Sequence, residues 1–269
     1  MPNVCIITDS TAQFTQPNFP GHACVHVIPV HMPDAGLTAA GASGDGKWLP
    51  PTVQEFMEFY ARLSRITDSV LVVTHSSQLS LTMQHAHQAC DQCNCSATVE
   101  VVDSRTTSIG LGMLVQDAAQ AAAQGATLKE IDQRLRTNLS RVYMLFCIPE
   151  LTCLARSGFM DRAQAQVGEM LGILPIFTFD EGRLAPLEKV RTPRHLWEVL
   201  QEFLEEFENP DHISLVRSLV PSSLHIGPLH HFINDTFPET RYTEHTLSPQ
   251  LAALFGPQSI GLAVWDSEE

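Results

Sequence analysis

Hydroxyl and carboxylate side chains follow three apolar segments of this sequence, each at the point where the segment ends. The three groups are Asp9-Ser10-Thr11, Ser76-Ser77 with Ser80 and Thr82, and Asp103-Ser104. The carboxyl ends of parallel strands meet at one edge of a sheet, where ligands bind. Helix N-termini at that edge supply N–H donors suited to a carboxylate or a phosphate. The sequence therefore predicts a ligand site there, although each residue could instead simply cap the helix that follows it.

Familiar catalytic signatures are missing from the chain. It has no G-x-S-x-G nucleophile elbow, no P-loop and no H-E-x-x-H pair. The sequence Gly110-Leu111-Gly112 lacks the third glycine of a dinucleotide fingerprint. We therefore predict a non-catalytic protein without a cofactor. A small enzyme that uses Asp9, His75 and Asp103 is an alternative supported only by the positions of these residues.

A C-x-x-C-x-C cluster formed by Cys90, Cys93 and Cys95 is the one candidate for metal binding. His85 and His87 precede it by one or two helical turns, and zinc accepts such ligands. However, the chain contains no second C-x-x-C pair, and the cluster falls at a predicted helix end. We predict scattered thiols and no metal.

Composition excludes several classes of partner. The formal net charge of −14 argues against binding to nucleic acid or to an anionic membrane surface, since both require clustered Lys and Arg. No apolar run approaches the roughly 20 residues of a membrane span, and the start MPNVCIITDS does not read as a signal peptide. Seven cysteines, an odd number, favour reduced thiols. We expect a cytoplasmic protein that does not insert into membranes.

The first half of the chain alternates strands with helices, which is typical of an α/β fold with a parallel sheet. The clearest unit is VVDSRTTSIGLGMLVQDAAQAAAQG, from Val101 to Gly125. Strands are predicted at 4–8, 24–30, 69–74 and 99–102, and helices from Thr52 and at 80–90, 111–124 and 128–139. Residues 34–51 have no periodicity and are predicted to form a long loop.

The second half has a mixed α+β character. Strands are predicted at 142–148, 173–179, 183–191, 213–216, 239–245 and 259–265, with a tight turn at Asp180-Glu181-Gly182 that joins two of them into a hairpin. Helices are predicted at 163–171 and from Thr192 to Phe207. We therefore predict an N-terminal α/β domain at 1–145 and a C-terminal α+β domain at 146–269.

Short motifs along most of the chain resemble the DegV family of bacterial lipid-binding proteins. Taken in order, they are Ile6-Ile7-Thr8-Asp9-Ser10, Ile28-Pro29-Val30, Ser76-Ser77-Gln78-Leu79-Ser80, Val102-Asp103-Ser104, Gly110-Leu111-Gly112, Leu154-Ala155-Arg156-Ser157-Gly158, Leu174-Pro175-Ile176, Asp180-Glu181-Gly182, Lys189-Val190-Arg191-Thr192 and Gly256-Pro257. Each match is short, but together, in this order, they make a specific signal.

The resemblance implies a two-domain fold with a fatty acid buried between the domains. It also implies a role as the acyl-carrying subunit of a bacterial fatty acid kinase, in which a separate ATP-using subunit phosphorylates the carboxylate. A carboxylate removed from water must receive hydrogen bonds, and its tail needs an apolar tunnel. In the family, a Thr of T-S-Q-P, the second Ser of S-S-x-L-S and the His of H-T-G-P-G hold the head group.

This chain keeps only one of those three head-group residues. Ser80 occupies the family's serine position, but Lys47-Trp48-Leu49-Pro50-Pro51 stands in place of T-S-Q-P, and Leu254 replaces the histidine. Phe159 likewise replaces the arginine of the family's G-G-R motif. One explanation is that His75 supplies the missing donor, unless it only ends its strand or faces solvent. The other is that the pocket has changed to a different ligand.

We therefore predict a DegV-like protein that binds a long-chain fatty acid and could present the carboxylate to a kinase partner. The alternative is a regulatory or interaction paralogue that kept the fold and binds a different ligand or none. Ser80 is the predicted carboxylate ligand, with backbone amides near Gly110 and the Gly256-Pro257 turn. The full predicted binding set is Ser80, Ser77, His75, Thr82, Ser10, Gly110, Arg156 and Gly256.

Overall fold

The computed structural model describes residues 4–32, 37–38, 41–42, 48–222 and 224–266. The chain divides into two compact units. The first comprises Met1–His31, Trp48–Val142 and Glu181–Arg183, and the second comprises Met32–Lys47, Tyr143–Asp180 and Leu184–Glu269. The proposed domain boundary at residue 145 stays a prediction.

The first unit is built on a four-stranded parallel sheet. Its strands are β1 (Cys5–Asp9), β2 (Val25–Ile28), β5 (Ser69–Thr74) and β6 (Thr98–Asp103), in the order β2-β1-β5-β6. All three strand pairings are parallel. The α/β character predicted for this half of the chain is confirmed.

Four helices accompany this sheet: α1 (Val53–Leu63), α2 (Thr82–Gln92), α3 (Ser108–Ala123) and α4 (Leu128–Asn138). Helices α1 and α2 pack together over a core that includes Phe56, Tyr60 and Val72. A capping box formed by Thr127 and Glu130 starts α4. An equivalent box formed by Thr52 and Glu55 starts α1, at the residue where the sequence predicts a helix to begin.

The second unit contains a six-stranded mixed sheet in the order β11-β10-β12-β7-β8-β9. Its strands are β7 (Val142–Cys147), β8 (Leu174–Asp180), β9 (Arg183–Val190), β10 (His212–Arg217), β11 (Arg241–Thr246) and β12 (Ile260–Trp265). Strands β10 and β11 pair in parallel, whereas β12 runs antiparallel to β10. The predicted mixed α+β architecture is confirmed.

The helices of the second unit are α5 (Leu151–Arg156), α6 (Arg162–Met170), α7 (Pro193–Glu205), α8 (Gly227–Thr236) and α9 (Pro249–Phe255). Helix α7 packs against α8 and buries Leu196, Trp197 and Leu200 in the core. Helix α5 packs against α6 and α9.

Several predicted elements need correction. Residues 22–24 form a 3₁₀ turn, so β2 begins at Val25 rather than at Cys24. Helix α3 begins at Ser108, three residues before the predicted start. The sequence did not reveal α5, α8 or α9, because each is short and two of them contain a proline in their first turn. Pro175 is the second residue of β8, as expected for a proline at a strand start.

The predicted loop at 34–51 lies mostly outside the described residues. Within it, β3 (Leu37–Thr38) and β4 (Gly41–Ala42) form a short antiparallel pair. Across the described part of the chain, none of the helices combines the length and the apolar character that crossing a bilayer requires.

Candidate functional site

The carboxyl ends of β1, β5 and β6 lie side by side in the first unit. The register pairs Thr8 with Val73 and Thr74 with Asp103. The polar residues after these strands therefore meet at one edge of the sheet, as the sequence predicts.

Asp9 is the buried anion of this edge. Its side chain has no exposed surface. Oδ1 accepts hydrogen bonds from the backbone N–H of Thr11 (3.0 Å) and from its hydroxyl (2.6 Å), and Oδ2 accepts one from the backbone N–H of His75 (2.7 Å). Burial by itself would raise the pKa of Asp9, but attraction to His75 and the hydrogen bonds from His75 and Thr11 outweigh it and lower the pKa. Asp9 is therefore a carboxylate at neutral pH.

His75 connects this carboxylate to Ser80. Its side chain is fully buried, with Nδ1 3.0 Å from Oδ2 of Asp9 and Nε2 2.7 Å from Oγ of Ser80. The Nδ1 contact is at ion-pair distance, although the ring is not directed for a hydrogen bond. The Trp48 indole packs against the imidazole in a T-shaped arrangement, with 5.1 Å between ring centroids. His75 thus neither faces solvent nor merely ends its strand.

Ser80 is the partly exposed end of this chain of contacts. Its Oγ lies 2.8 Å from the hydroxyl of Thr82 and accepts a hydrogen bond from the backbone N–H of Thr82 (3.2 Å). Helix α2 begins at Thr82, and no side chain caps its N-cap residue Leu81. The Ser80 hydroxyl therefore lies at a helix N-terminus whose N-cap residue supplies no side-chain cap, a setting that favours an anion.

Asp103 and Ser76, two further polar residues at this edge, form hydrogen bonds with the backbone of the turns. Both carboxylate oxygens of Asp103 accept from the backbone N–H of Ser77 at 3.2 Å, and Oδ1 also accepts from the N–H of Arg105. Ser76 donates from its hydroxyl to the carbonyl of Gly182 (2.6 Å), a residue of the turn that belongs to the first unit. The helix-capping interpretation is wrong for Asp9 and Asp103, since each accepts hydrogen bonds from its own turn and from the turn after β5.

A groove of about 380 Å³ opens beside Ser80 and follows α2. Ser77, Ser80 and Leu81 line its start, and Met83, Gln84, His87, Gln88 and Asp91 line the helix face. Ser80 is therefore the member of the Asp9–His75–Ser80 chain that a ligand could reach from this side.

The remaining predicted binding residues are distributed over both units. Ser10 accepts from the backbone N–H of Val30 (2.9 Å) and so joins β1 to the end of β2. Gly110 is buried in the first turn of α3. In the second unit, Arg156 ends α5, with Nη2 3.0 Å from Sγ of Cys153, and Gly256 follows α9 with φ of +96°. The ligand roles of all these residues stay predictions.

Asp9 was not in the predicted binding set, nor was the neighbouring Thr11. A signal existed in the sequence, because Asp9 is a carboxylate at the end of a mostly apolar strand. The sequence could not show that His75 would share Oδ2 of Asp9, since 66 residues separate the two.

Two residues of the C-x-x-C-x-C cluster, Cys90 and Cys93, have thiols with raised pKa values. Burial raises the pKa of Cys90, and burial together with the neighbouring Cys95 raises the pKa of Cys93 to about 11. Within the described ranges, no group of three His, Cys, Asp or Glu side chains is placed to hold a metal ion.

The sequence and the fold both match known proteins. The model of the DegV family of uncharacterised proteins matches residues 47–266. The DegV domain-containing protein SAR1438 of Staphylococcus aureus is 26% identical over 96% of this chain and 97% of its own length.

Two solved structures share the fold over almost the whole chain. The first is a DegV family protein from Thermus thermophilus, whose structure is described as showing fatty acid binding. It has a TM-score of 0.81 and 22% identity to this chain, and the match covers 98% of this chain and 100% of that one. The Streptococcus pneumoniae fatty acid kinase (Fak) B3 protein, loaded with linoleic acid, has a TM-score of 0.79 and 16% identity, covering 98% and 100%. At these identities, the structural similarity establishes the fold.

Proposed function

The chain belongs to the DegV family, and on that premise we propose that it binds a long-chain fatty acid through its carboxylate and carries out no reaction on it. The observation that carries the proposal is the position of Ser80. Its half-buried hydroxyl lies at the N-terminus of α2 and contacts the buried imidazole of His75, which in turn lies against Asp9. Hydroxyl and backbone N–H donors are what a carboxylate needs on leaving water.

His75 compensates in this proposal for the head-group residues that the chain lacks. Leu254 and the segment 47–51 offer no equivalent of the family's histidine and threonine. A buried imidazole 2.7 Å from Ser80 supplies a new polar partner behind the serine hydroxyl. Thr82 is the second such partner, at 2.8 Å.

The same three groups stand in the order of a serine hydrolase triad, but their geometry favours binding. In a hydrolase, a hydrogen bond from Nδ1 to the carboxylate orients the imidazole. Here the ring of His75 is not directed at Asp9, and Oγ of Ser80 is also engaged by Thr82. We propose a carrier that acts in the cytoplasm, where its seven unpaired cysteines stay reduced.

A kinase partner is the further part of the proposal. The Streptococcus pneumoniae protein of the same fold is a fatty acid kinase B protein loaded with a fatty acid. We propose that this chain likewise presents its bound carboxylate to an ATP-using subunit.

Purified protein is expected to carry its ligand. Organic extraction followed by mass spectrometry should release about one long-chain fatty acid per chain, because a buried acyl tail dissociates slowly. An empty or non-lipid extract would contradict the proposal and favour the alternative, a regulatory or interaction protein that kept the fold.

Replacement of Ser80 by alanine should weaken fatty-acid binding by about 10- to 100-fold, which corresponds to a lost hydrogen bond to a charged group of about 1.5–3 kcal/mol. Equilibrium binding of a fluorescent fatty acid to lipid-free protein measures the effect. Ser140→Ala is the matched control, because this exposed serine bonds only to the carbonyl of Thr137. Equal affinity in Ser80→Ala and Ser140→Ala would refute the role of Ser80.

A further inference from the structure

His75 has two nitrogens with different neighbours, and these fix where its protons lie. Nδ1 is 3.0 Å from a carboxylate oxygen of Asp9. Because an unprotonated Nδ1 has a negative partial charge and a buried carboxylate at that distance would repel it, we infer that Nδ1 carries a hydrogen. Nε2 faces the hydroxyl of Ser80 at 2.7 Å. The charge of the imidazole therefore depends only on whether Nε2 also carries a proton.

Ser80 has one hydrogen and two lone pairs for three neighbours. The backbone N–H of Thr82 occupies one lone pair. If His75 is neutral, Nε2 can only accept, so the hydrogen of Ser80 points at His75 and none remains for a ligand. If His75 is an imidazolium, Nε2 donates to the second lone pair, and the hydrogen of Ser80 is released toward Thr82 or toward a ligand.

The charges at this edge of the sheet also favour the imidazolium form of His75 when a carboxylate is bound. A ligand carboxylate beside Ser80 would be a second anion close to buried Asp9, and an imidazolium between them reduces the repulsion. Charged and titratable groups also come from the neighbouring elements. Asp103 after β6 is a further anion, Arg105 is paired with Glu181, and His85 of α2 bonds to the carbonyl of Pro51.

We propose that a fatty-acid carboxylate binds to Ser80 only when His75 is doubly protonated, so that ligand binding and proton uptake by His75 are one linked event. This inference rests on the proposed function. The proton comes from solvent and goes to Nε2 of His75, the hydrogen of Ser80 turns to the carboxylate, and no covalent bond to the ligand forms. His75 acts here as a positioning residue, since it sets the direction of the Ser80 hydroxyl.

Calorimetry with laurate as the probe tests this linkage. Lipid-free full-length protein is titrated with laurate at pH 6 to 9, at each pH in two buffers with different ionisation enthalpies, which yields the number of protons taken up. We expect proton uptake to increase with pH toward one proton per bound laurate. Once His75 of the lipid-free protein is neutral, affinity should fall by about tenfold per pH unit.

Two variants identify the group that receives the proton. His75→Gln keeps an amide donor for Ser80 but cannot be charged, so proton uptake and the steep fall of affinity with pH should disappear. His195→Gln, which changes an exposed histidine at the start of α7, should behave like the original chain. Uptake that persists in His75→Gln would overturn the inference, because laurate or another group would then bind the proton.

The other outcomes separate the inference from the proposed function. Laurate binding without proton uptake at any pH overturns the inference and leaves fatty-acid binding intact. No laurate binding at all overturns both. If His75→Gln does not fold, nitrogen-15 NMR of the histidine rings in the original chain decides the matter. With laurate bound, His75 must show two protonated nitrogens, and a neutral ring would overturn the inference.

Discussion

Replacement of Asp9 by asparagine should lower the free energy of unfolding by about 3–5 kcal/mol at pH 7, the usual effect of removing one partner from a buried site that holds a charge. Asparagine has the same shape, so no cavity contributes. Its Oδ1 can still accept from Thr11, but its amide then faces the backbone N–H of His75, where Oδ2 now accepts at 2.7 Å. Two donors would face each other, and His75 would lose its buried anion.

The loss of stability caused by Asp9→Asn should become smaller as the pH falls. The pKa of Asp9 is below its ordinary value of 3.8 in the folded protein. Its charge therefore stabilises the fold fully above that value, and the contribution is lost as the pH falls from about 4 toward the folded-state pKa. Urea denaturation at pH 7, 5, 4 and 3 measures the free energy of unfolding of the original chain and of Asp9→Asn. The gap between the two values should be constant down to about pH 5 and smaller at pH 3.

Asp68→Asn is the control for this experiment. Asp68 is an exposed aspartate just before β5, and its substitution should change stability by less than about 0.5 kcal/mol. A gap for Asp9→Asn as small as that of the control would show that the buried pair does not stabilise the first unit. A gap that widens as the pH falls would contradict the direction assigned to the pKa of Asp9.

Replacement of Gly112 by alanine should destabilise the protein by about 3 kcal/mol, the upper end of the usual cost of overpacking a core. Gly112 lies inside α3, where helix propensity alone would make alanine about 1 kcal/mol more stable than glycine. A Cβ at this position would lie 1.8 Å from the backbone carbonyl oxygen of Gln13. The loop after β1 is bound to α3 there, since the N–H of Gln13 donates to the carbonyl of Ser108 (3.0 Å). The sign of the change therefore separates the two effects.

Gly168→Ala provides a matched comparison for Gly112→Ala. Gly168 is also a buried helical glycine, but its added Cβ would meet a terminal methyl group of Leu151, which can rotate away. We expect a change within about 1 kcal/mol for Gly168→Ala. Chemical denaturation followed by circular dichroism measures both variants. A Gly112→Ala protein as stable as the original chain would show that the loop after β1 can move without cost.

The fold could be read from local patterns to a large extent. The apolar run at 69–74 matches β5 at both ends, and Thr127 with Glu130 marks the start of α4. Such features depend on residues a few positions apart, so the sequence displays them directly. The helices α5 and α9 were missed because, at six and seven residues, they are too short to show a helical period. Packing within the second unit stabilises them instead.

The candidate site was predictable only in part. The sequence indicated which strand ends carry hydroxyl and carboxylate groups, and Ser80 was singled out by family resemblance. The role of Asp9 was not predictable, because its partner His75 follows a different strand. The sequence also left open whether His75 faces solvent, and its position between Asp9, Ser80 and Trp48 answers this.

The sequence by itself determined the alternation of strands and helices, the family, and the loss of two of the three family head-group residues. Only the tertiary structure decided which side chains contact the remaining head-group residue, Ser80. Parallel pairing of β1 with β5 brings Asp9 and His75 to one edge of the sheet, although they are far apart along the chain. Burial then strengthens the interaction between the Asp9 carboxylate and the imidazole, because attraction is strong where water is excluded. The state of the Ser80 hydroxyl thus depends on a contact that no local pattern encodes.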